Sequence, residues 1–278
     1  MTILFWFLPL ILLAALYFFL SNRADYFIFH PVRSFLPVTQ PFELFFLPVP
    51  GGEKIHAAWL PPAPGKPVLL FFHGNGGNIS HFEPFAQRYA RRGFGVLLFD
   101  YRGFGKSEGK ESERRAYEDG SAALKYLLHH KHIPPQDIVL WGYSLGNAVA
   151  LETAVRFRQL PLKAVILQSP FTSAPAMGAY RATRCKTDTK RRRAVCACLR
   201  LLLWNKQFDN TQKIGQITWP MLIGYSRQDE VIPWQMSLEL TLSAPAHAKK
   251  FASQTGFHGE FGWFEEAAVS FLNDLPRK

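Results

Sequence analysis

The chain lacks the residues from which several common classes of protein are built. Its 278 residues contain three cysteines, an odd number that makes no disulfide framework, and Cys196 and Cys198 have no second pair to complete a zinc site. Neither G-x-x-x-x-G-K-S/T nor G-x-G-x-x-G occurs, so the glycines after His73 are not those of a nucleotide-phosphate loop. There is no internal repeat and no low-complexity linker, which excludes solenoids and beaded arrays. Nothing in the composition points to a metal or a cofactor. Disorder is excluded by a hydrophobic share of 48%.

Charge is absent from residues 3–20, the run ILFWFLPLILLAALYFFL. At about 1.5 Å per residue this makes about 27 Å of helix, close to the thickness of a bilayer's hydrocarbon core. Pro9 falls in its early turns, where a membrane helix tolerates it, and Asn22, Arg23 and Asp25 close it abruptly. A cleavable signal peptide would show a basic start, a shorter apolar core and a small-x-small cleavage site. None of these is present, nor is the cysteine after the core that a lipoprotein signal needs. The expectation is an uncleaved single-pass anchor over residues 1–22, a juxtamembrane linker over 23–41 and one soluble domain over 42–278. Arg23 and Arg33 on the C-terminal side, against only the α-amino group on the other, favour a cytoplasmic domain.

The net charge of +11 is uneven. Between Arg181 and Arg200 stand eight Lys or Arg and one acid, Asp188, so the whole-chain balance says little about partners. This basic stretch sits in an irregular interval, about residues 171–210, between two expected strands. Lys190, Arg191, Arg192 and Arg193 are followed by an apolar run to Trp204. One reading is a lid that lies on an anionic membrane and admits an acyl chain. The other is a solvated loop beside a core-packing helix. Nucleic-acid binding fits less well, because the patch lacks interleaved aromatics.

Elsewhere apolar runs alternate with amphipathic stretches. Residues 42–49 and 54–60, separated by Pro50-Gly51-Gly52, read as a hairpin. Strands follow at 68–72, 95–100, 138–141, 163–168, 221–224 and 250–253. Helices fall at 82–92, 113–130, 145–157, 234–242 and 263–275. This alternation predicts an α/β fold, a mostly parallel sheet with helices on both faces.

Gly142-Tyr143-Ser144-Leu145-Gly146 is a G-x-S-x-G placed where a buried strand ends and a helix begins. That context forces the serine into a strained turn and lifts its hydroxyl above the sheet. A serine hydroxyl needs a base, and the base needs an orienting group. Two histidines follow Ser144. His258 lies in a glycine-flanked loop between the last strand and the last helix, where a base belongs, whereas His247 precedes that strand and reads as a surface residue. Asp229, after the strand 221–224, is the favoured acid, with Glu230 as its neighbouring rival; Asp209 and Asp274 lie in less suitable places. The glycine-rich turn at His73-Gly74-Asn75-Gly76-Gly77-Asn78 offers backbone N–H groups to a developing negative charge. Asn75 and Leu145 are the expected oxyanion donors, each worth about 2.7–4 kcal/mol in a transition state. His73 reads as a structural hydrogen-bonder, and Arg102, in the loop opened by Asp100, as a partner of Asp100.

Taken together, HGNGGN from His73, DYRGFGKSEG from Asp100, GYSLGN from Gly142, SPFTS from Ser169, SRQDEVIP from Ser226 and GFHGE around His258 resemble the α/β-hydrolase superfamily, in its order, from Phe42 onward. Within it the chain is similar to single-pass membrane serine hydrolases related to protein depalmitoylases, lysophospholipases and monoacylglycerol hydrolases. Members of this branch are also described as serine aminopeptidase-like, a description that rests on fold alone. The resemblance implies Ser144 as nucleophile, Asp229 as acid, His258 as base, and oxyanion amides at Asn75 and Leu145. It departs from the family pattern between Ser169 and Trp204, where the basic segment stands. The leading expectation is hydrolysis of acyl esters or thioesters of lipid-like substrates. A peptidase or aminopeptidase remains open because the triad does not choose between ester and amide, and a non-catalytic membrane adaptor is the alternative of another class.

Overall fold

In the computed structural model of the chain, residues 25, 28–38, 41–184, 194 and 208–276 are described. The apolar run 3–20, the basic residues Lys190, Arg191, Arg192 and Arg193, and all three cysteines lie outside them. Among the described residues no helix is long and apolar enough to cross a membrane.

Eight strands form one sheet: β1 (Glu43–Pro48), β2 (Lys54–Leu60), β3 (Val68–Phe72), β4 (Gly95–Phe99), β5 (Ile138–Tyr143), β6 (Ala164–Gln168), β7 (Met221–Ser226) and β8 (Lys249–Ser253). Their spatial order is β1-β2-β4-β3-β5-β6-β7-β8. The hairpin β1–β2 pairs antiparallel and joins β4 antiparallel; every later pairing is parallel. Between the strands run α1 (Glu83–Ala90), α2 (Glu113–His129), α3 (Gly146–Arg156), α4 (Ala174–Thr183), α5 (Asn210–Ile214), α6 (Trp234–Leu242) and α7 (Gly262–Asp274).

The run Val68-Leu69-Leu70-Phe71-Phe72 is buried at every position, as a central parallel strand must be when helices cover both faces. Successive side chains point to opposite faces. Val68, Leu70 and Phe72 accordingly join the core that holds Leu124 of α2 and Val149 of α3. Leu69 and Phe71 join a second core with Phe85 of α1 and Phe264 and Phe271 of α7. Each such side chain, fully buried, contributes about 1.5–3 kcal/mol.

The interval after β6, expected to be irregular, opens with a helix. Ser173 caps α4 by accepting from the Ala176 N–H (3.3 Å), and a proline sits in the first turn, where its missing donor costs nothing. The two margins of the sheet differ, since β8 is polar whereas β1 exposes Leu44 and Phe46. Lys249 and Lys250 of β8 are exposed and Lys249 meets Asp274 at 3.2 Å, while on β1 Glu43 accepts from Lys131 Nζ at 2.6 Å.

Candidate active site

The parallel strands end on the same side of the sheet, and there the sequence changes from apolar to polar. β5 stops at Tyr143, α3 begins at Gly146, and Ser144 turns the corner with φ of 53°. A non-glycine residue held at such a φ costs about 1–3 kcal/mol and needs surroundings that enforce it. Here the Ser144 N–H donates to Gln168 O (3.0 Å) on β6. The buried Asn147 carboxamide donates to both Ser144 O (2.8 Å) and Gln168 O (2.8 Å), tying the turn, the helix and the neighbouring strand together. The flanking glycines have no room for a side chain. A Cβ on Gly142 would stand 2.5 Å from Asn147 Cα, and one on Gly146 only 1.9 Å from the Phe72 carbonyl oxygen.

His258 reaches this corner from the loop between β8 and α7. Its ring stacks on Tyr143 at 5.2 Å, its carbonyl accepts from the Tyr143 hydroxyl (2.7 Å), and its N–H donates to Glu230 Oε2 (2.9 Å). The Ser144 hydroxyl donates to His258 Nε2 at 3.0 Å, and Nδ1–H donates to Asp229 Oδ2 at 2.8 Å. Asp229 Oδ1 accepts from the N–H groups of Val231 (3.0 Å) and Ile232 (2.7 Å). Burial opposes ionisation of this carboxyl, but the bond from His258, its charge and the Ile232 amide outweigh it and hold Asp229 below the usual carboxylate range.

The other candidates are engaged elsewhere. Glu230 holds the backbone of the His258 loop. Asp209 caps α5 by accepting from Gln212 N–H (3.0 Å), Asp274 pairs with Lys249, and the exposed His247 donates through Nε2 to Trp219 O (2.9 Å). His73 is buried, donates from Nδ1 to Gly74 O (2.7 Å), and has its pKa lowered chiefly by burial, against the pull of Asp100. It is a structural element of its loop.

The expected Arg102–Asp100 pair is not formed. Arg102, 2% exposed, instead meets Asp119 (2.8 Å), Glu118 (2.6 Å) and Glu53 (3.1 Å). Asp100 receives the Ile79 N–H (2.7 Å) and lies 3.6 Å from His73 Nε2. The reason is reach: the backbone N–H of Arg102 is itself anchored on Asp119 Oδ2 (2.8 Å), which directs the guanidinium toward α2.

Asn75 and Leu145 line the same cavity as Ser144 and His258. No described residue accepts a hydrogen bond from either backbone N–H, so both donors stand open to a bound molecule. The cavity encloses about 570 Å³ and its wall is chiefly apolar, with Phe82, Phe171, Met177, Phe208, Ile232 and Phe261 prominent. A larger groove of about 730 Å³ lies near Leu47, Lys125 and His130, and none of Ser144, Asp229 and His258 lines it. Among the described residues no cluster of three His, Cys, Asp or Glu side chains could hold a metal ion.

Tyr143 and Asn147 belong to this site although neither was singled out in the sequence. The signal was adjacency, since both lie inside or beside G-x-S-x-G. Ile28 and His30, also on the cavity wall, come from the supposed linker and carried no local signal.

A serine on a strand-to-helix corner, an imidazole against it and a carboxylate behind define a hydrolase-like centre on a mostly parallel sheet. A family model described as alpha/beta hydrolase fold matches residues 67–183. Protein Rv2307c of Mycobacterium tuberculosis (strain ATCC 25618 / H37Rv), itself uncharacterized, is 32% identical over 207 residues, 74% of this chain and 68% of that protein. The chain belongs to the α/β-hydrolase family. Protein bem46 of Schizosaccharomyces pombe is 34% identical over 197 residues, covering 68% of this chain and 60% of that protein. The chain spans 60% to 63% of the length of several curated relatives it matches. Among solved structures, the Pyrococcus furiosus esterase Pf2001 superposes with a TM-score of 0.68 at 16% identity, over 89% of this chain and 97% of that one, a likeness of fold.

Proposed function

We propose that the chain is an esterase-type serine hydrolase that cleaves carboxylic ester or thioester bonds of acyl, lipid-like substrates. The observation that carries this reading is the pair of hydrogen bonds, 2.8 Å and 3.0 Å, joining Asp229, His258 and Ser144 beside an apolar cavity. His258 Nε2 takes the Ser144 proton as Oγ attacks the acyl carbonyl carbon. The carbonyl oxygen becomes an oxyanion facing the N–H groups of Asn75 and Leu145. Asp229 keeps the Nδ1 tautomer and stabilises the imidazolium. The tetrahedral intermediate collapses, and His258 protonates the departing alkoxide or thiolate. Water, deprotonated by the same imidazole, then releases the acid and restores Ser144.

The apolar wall suits an acyl chain, and several polar groups at one end suit the reacting carbonyl. The uncharged run 3–20 supports a single-pass anchor, Arg23 and Arg33 after it support a catalytic domain on the cytoplasmic side, and the basic residues Lys190 to Arg193 support contact with an anionic bilayer. Deleting residues 1–22 should move the protein from the carbonate-resistant membrane fraction to the supernatant; unchanged partition would refute the anchor.

The deciding experiment is labelling by a fluorophosphonate probe. Wild type should label and Ser144→Ala should not; equal labelling of both would end the assignment.

A further inference from the structure

Residues 29–38, which follow the helical Ile28, have no regular secondary structure, and it is to the glycine-rich loop after β3 that this stretch is fastened. The Asn75 carboxamide grips their backbone at two points. The His30 N–H donates to Oδ1 (2.9 Å), and Nδ2 donates to the Ile28 carbonyl. This is what a neighbouring strand would do, and the two-residue period follows from it. Ile28 and His30 face the cavity. Phe29, between them, is 2% exposed against Phe104 and Phe208.

The attachment continues along the segment. Asn78, fully buried, donates from Nδ2 to Val32 O (3.0 Å) and Ser34 O (2.8 Å). Ser80 Oγ accepts from the Leu36 N–H (3.0 Å), and Val32 O also accepts from the Gly105 N–H (3.0 Å). Three side chains of one loop thus commit their polar atoms to a stretch more than forty positions earlier in the chain.

We infer that residues 28–36 are a positioning strap for the oxyanion loop, with the Asn75 side chain as its buckle; this rests on the proposed role of the Asn75 backbone amide. Gly74, Gly76 and Gly77 give that loop more conformational freedom than any other residue type would. A donor that must be reoriented during reaction loses much of its value, because stabilisation of an oxyanion depends on preorganisation. The strap removes that freedom without touching the reacting atoms. It also supplies, through Ile28 and His30, one wall of the acyl cavity.

The test uses the full chain and Asn75→Ala, which keeps the backbone N–H and releases the buckle. On p-nitrophenyl acetate, whose two-carbon acyl group makes little use of the Ile28–His30 wall, kcat should fall about 10- to 100-fold, less than the roughly 10²–10³ lost with a whole donor, while KM stays near its wild-type value. The inactivation rate by a fluorophosphonate, which also forms a tetrahedral oxyanion, should fall in parallel. Phe29→Ala, which loosens the strap from its other side, should show the same kcat-specific pattern. Unchanged kcat in Asn75→Ala, with Ser144→Ala inactive, would overturn the strap and leave the hydrolase reading standing. A loss of kcat that merely tracks the fraction of unfolded protein by circular dichroism would overturn it as well. Full turnover by Ser144→Ala would remove both.

Discussion

His258 Nε2 lies 3.0 Å from Ser144 Oγ, although 114 residues separate the two in the chain. The contact is held on the backbone side too, since the Tyr143 hydroxyl donates to the His258 carbonyl. The residue just before the serine thus fixes the loop that carries the imidazole.

Removing the orienting carboxylate should cost far more than removing its neighbour. In Asp229→Asn the Nδ1–H loses its charged acceptor and the wrong tautomer becomes accessible, so kcat should drop about 10⁴-fold with little change in KM. Glu230→Gln keeps an acceptor for the His258 N–H and should lose less than about tenfold, as neutral hydrogen bonds are modest. Steady-state kinetics on one ester separate the two. Comparable losses would reassign the acid.

The low pKa of Asp229 has a consequence for stability with a definite sign. Its folded value lies below its unfolded one, which is about 3.9. Its contribution is therefore complete above the unfolded value and disappears as pH falls through the lower folded value. The gap between the urea midpoints of wild type and Asp229→Asn should begin to close only once pH falls below the unfolded value of about 3.9, and should keep closing as pH falls through the lower folded value. A gap that persists into acid would contradict the assignment.

Arg102 offers a test of the buried ion cluster. Its guanidinium and Asp119 are 2% and 0% exposed, so Arg102→Met strands a carboxylate in the interior and should destabilise the protein by about 3–5 kcal/mol. Arg114, 83% exposed and also paired with Glu118, should give less than about 0.5 kcal/mol on replacement by alanine. Chemical denaturation of the two variants measures the difference.

Gly146→Ala and Gly262→Ala make a matched pair at helix starts. The first would force a methyl into the Phe72 carbonyl, while nothing lies within 4 Å of the second. The first should cost about 3 kcal/mol or more of stability, and the second should be neutral or stabilising by up to about 1 kcal/mol. Melting curves read both.

Local signals made much of this architecture legible. Continuous apolar runs marked β3 to β7, and a glycine pair around a serine between strand and helix marked the corner at Ser144. The loop positions of Asp229 and His258 followed from the strand order, and the structure brings the two side chains to that corner. The partner of Arg102 is not legible in its neighbourhood along the chain, because Asp119 stands on α2 and is selected by packing. Residues 28–38 gave no periodicity, because they pair with the side chains of Asn75, Asn78 and Ser80 instead of with a strand. Hydrogen bonds of that kind leave no repeat in sequence.

The charged border of the sheet at β8 has an effect on the company the molecule keeps. An open strand edge is a template on which another chain can extend the ladder. Here an incoming strand would have to desolvate Lys249 and Lys250 at the β8 border, whereas at β1 it would meet the exposed Leu44 and Phe46 beside the Glu43–Lys131 pair. Fibril-like growth through backbone pairing is thereby discouraged at β8, in a chain in which nearly half the residues are hydrophobic.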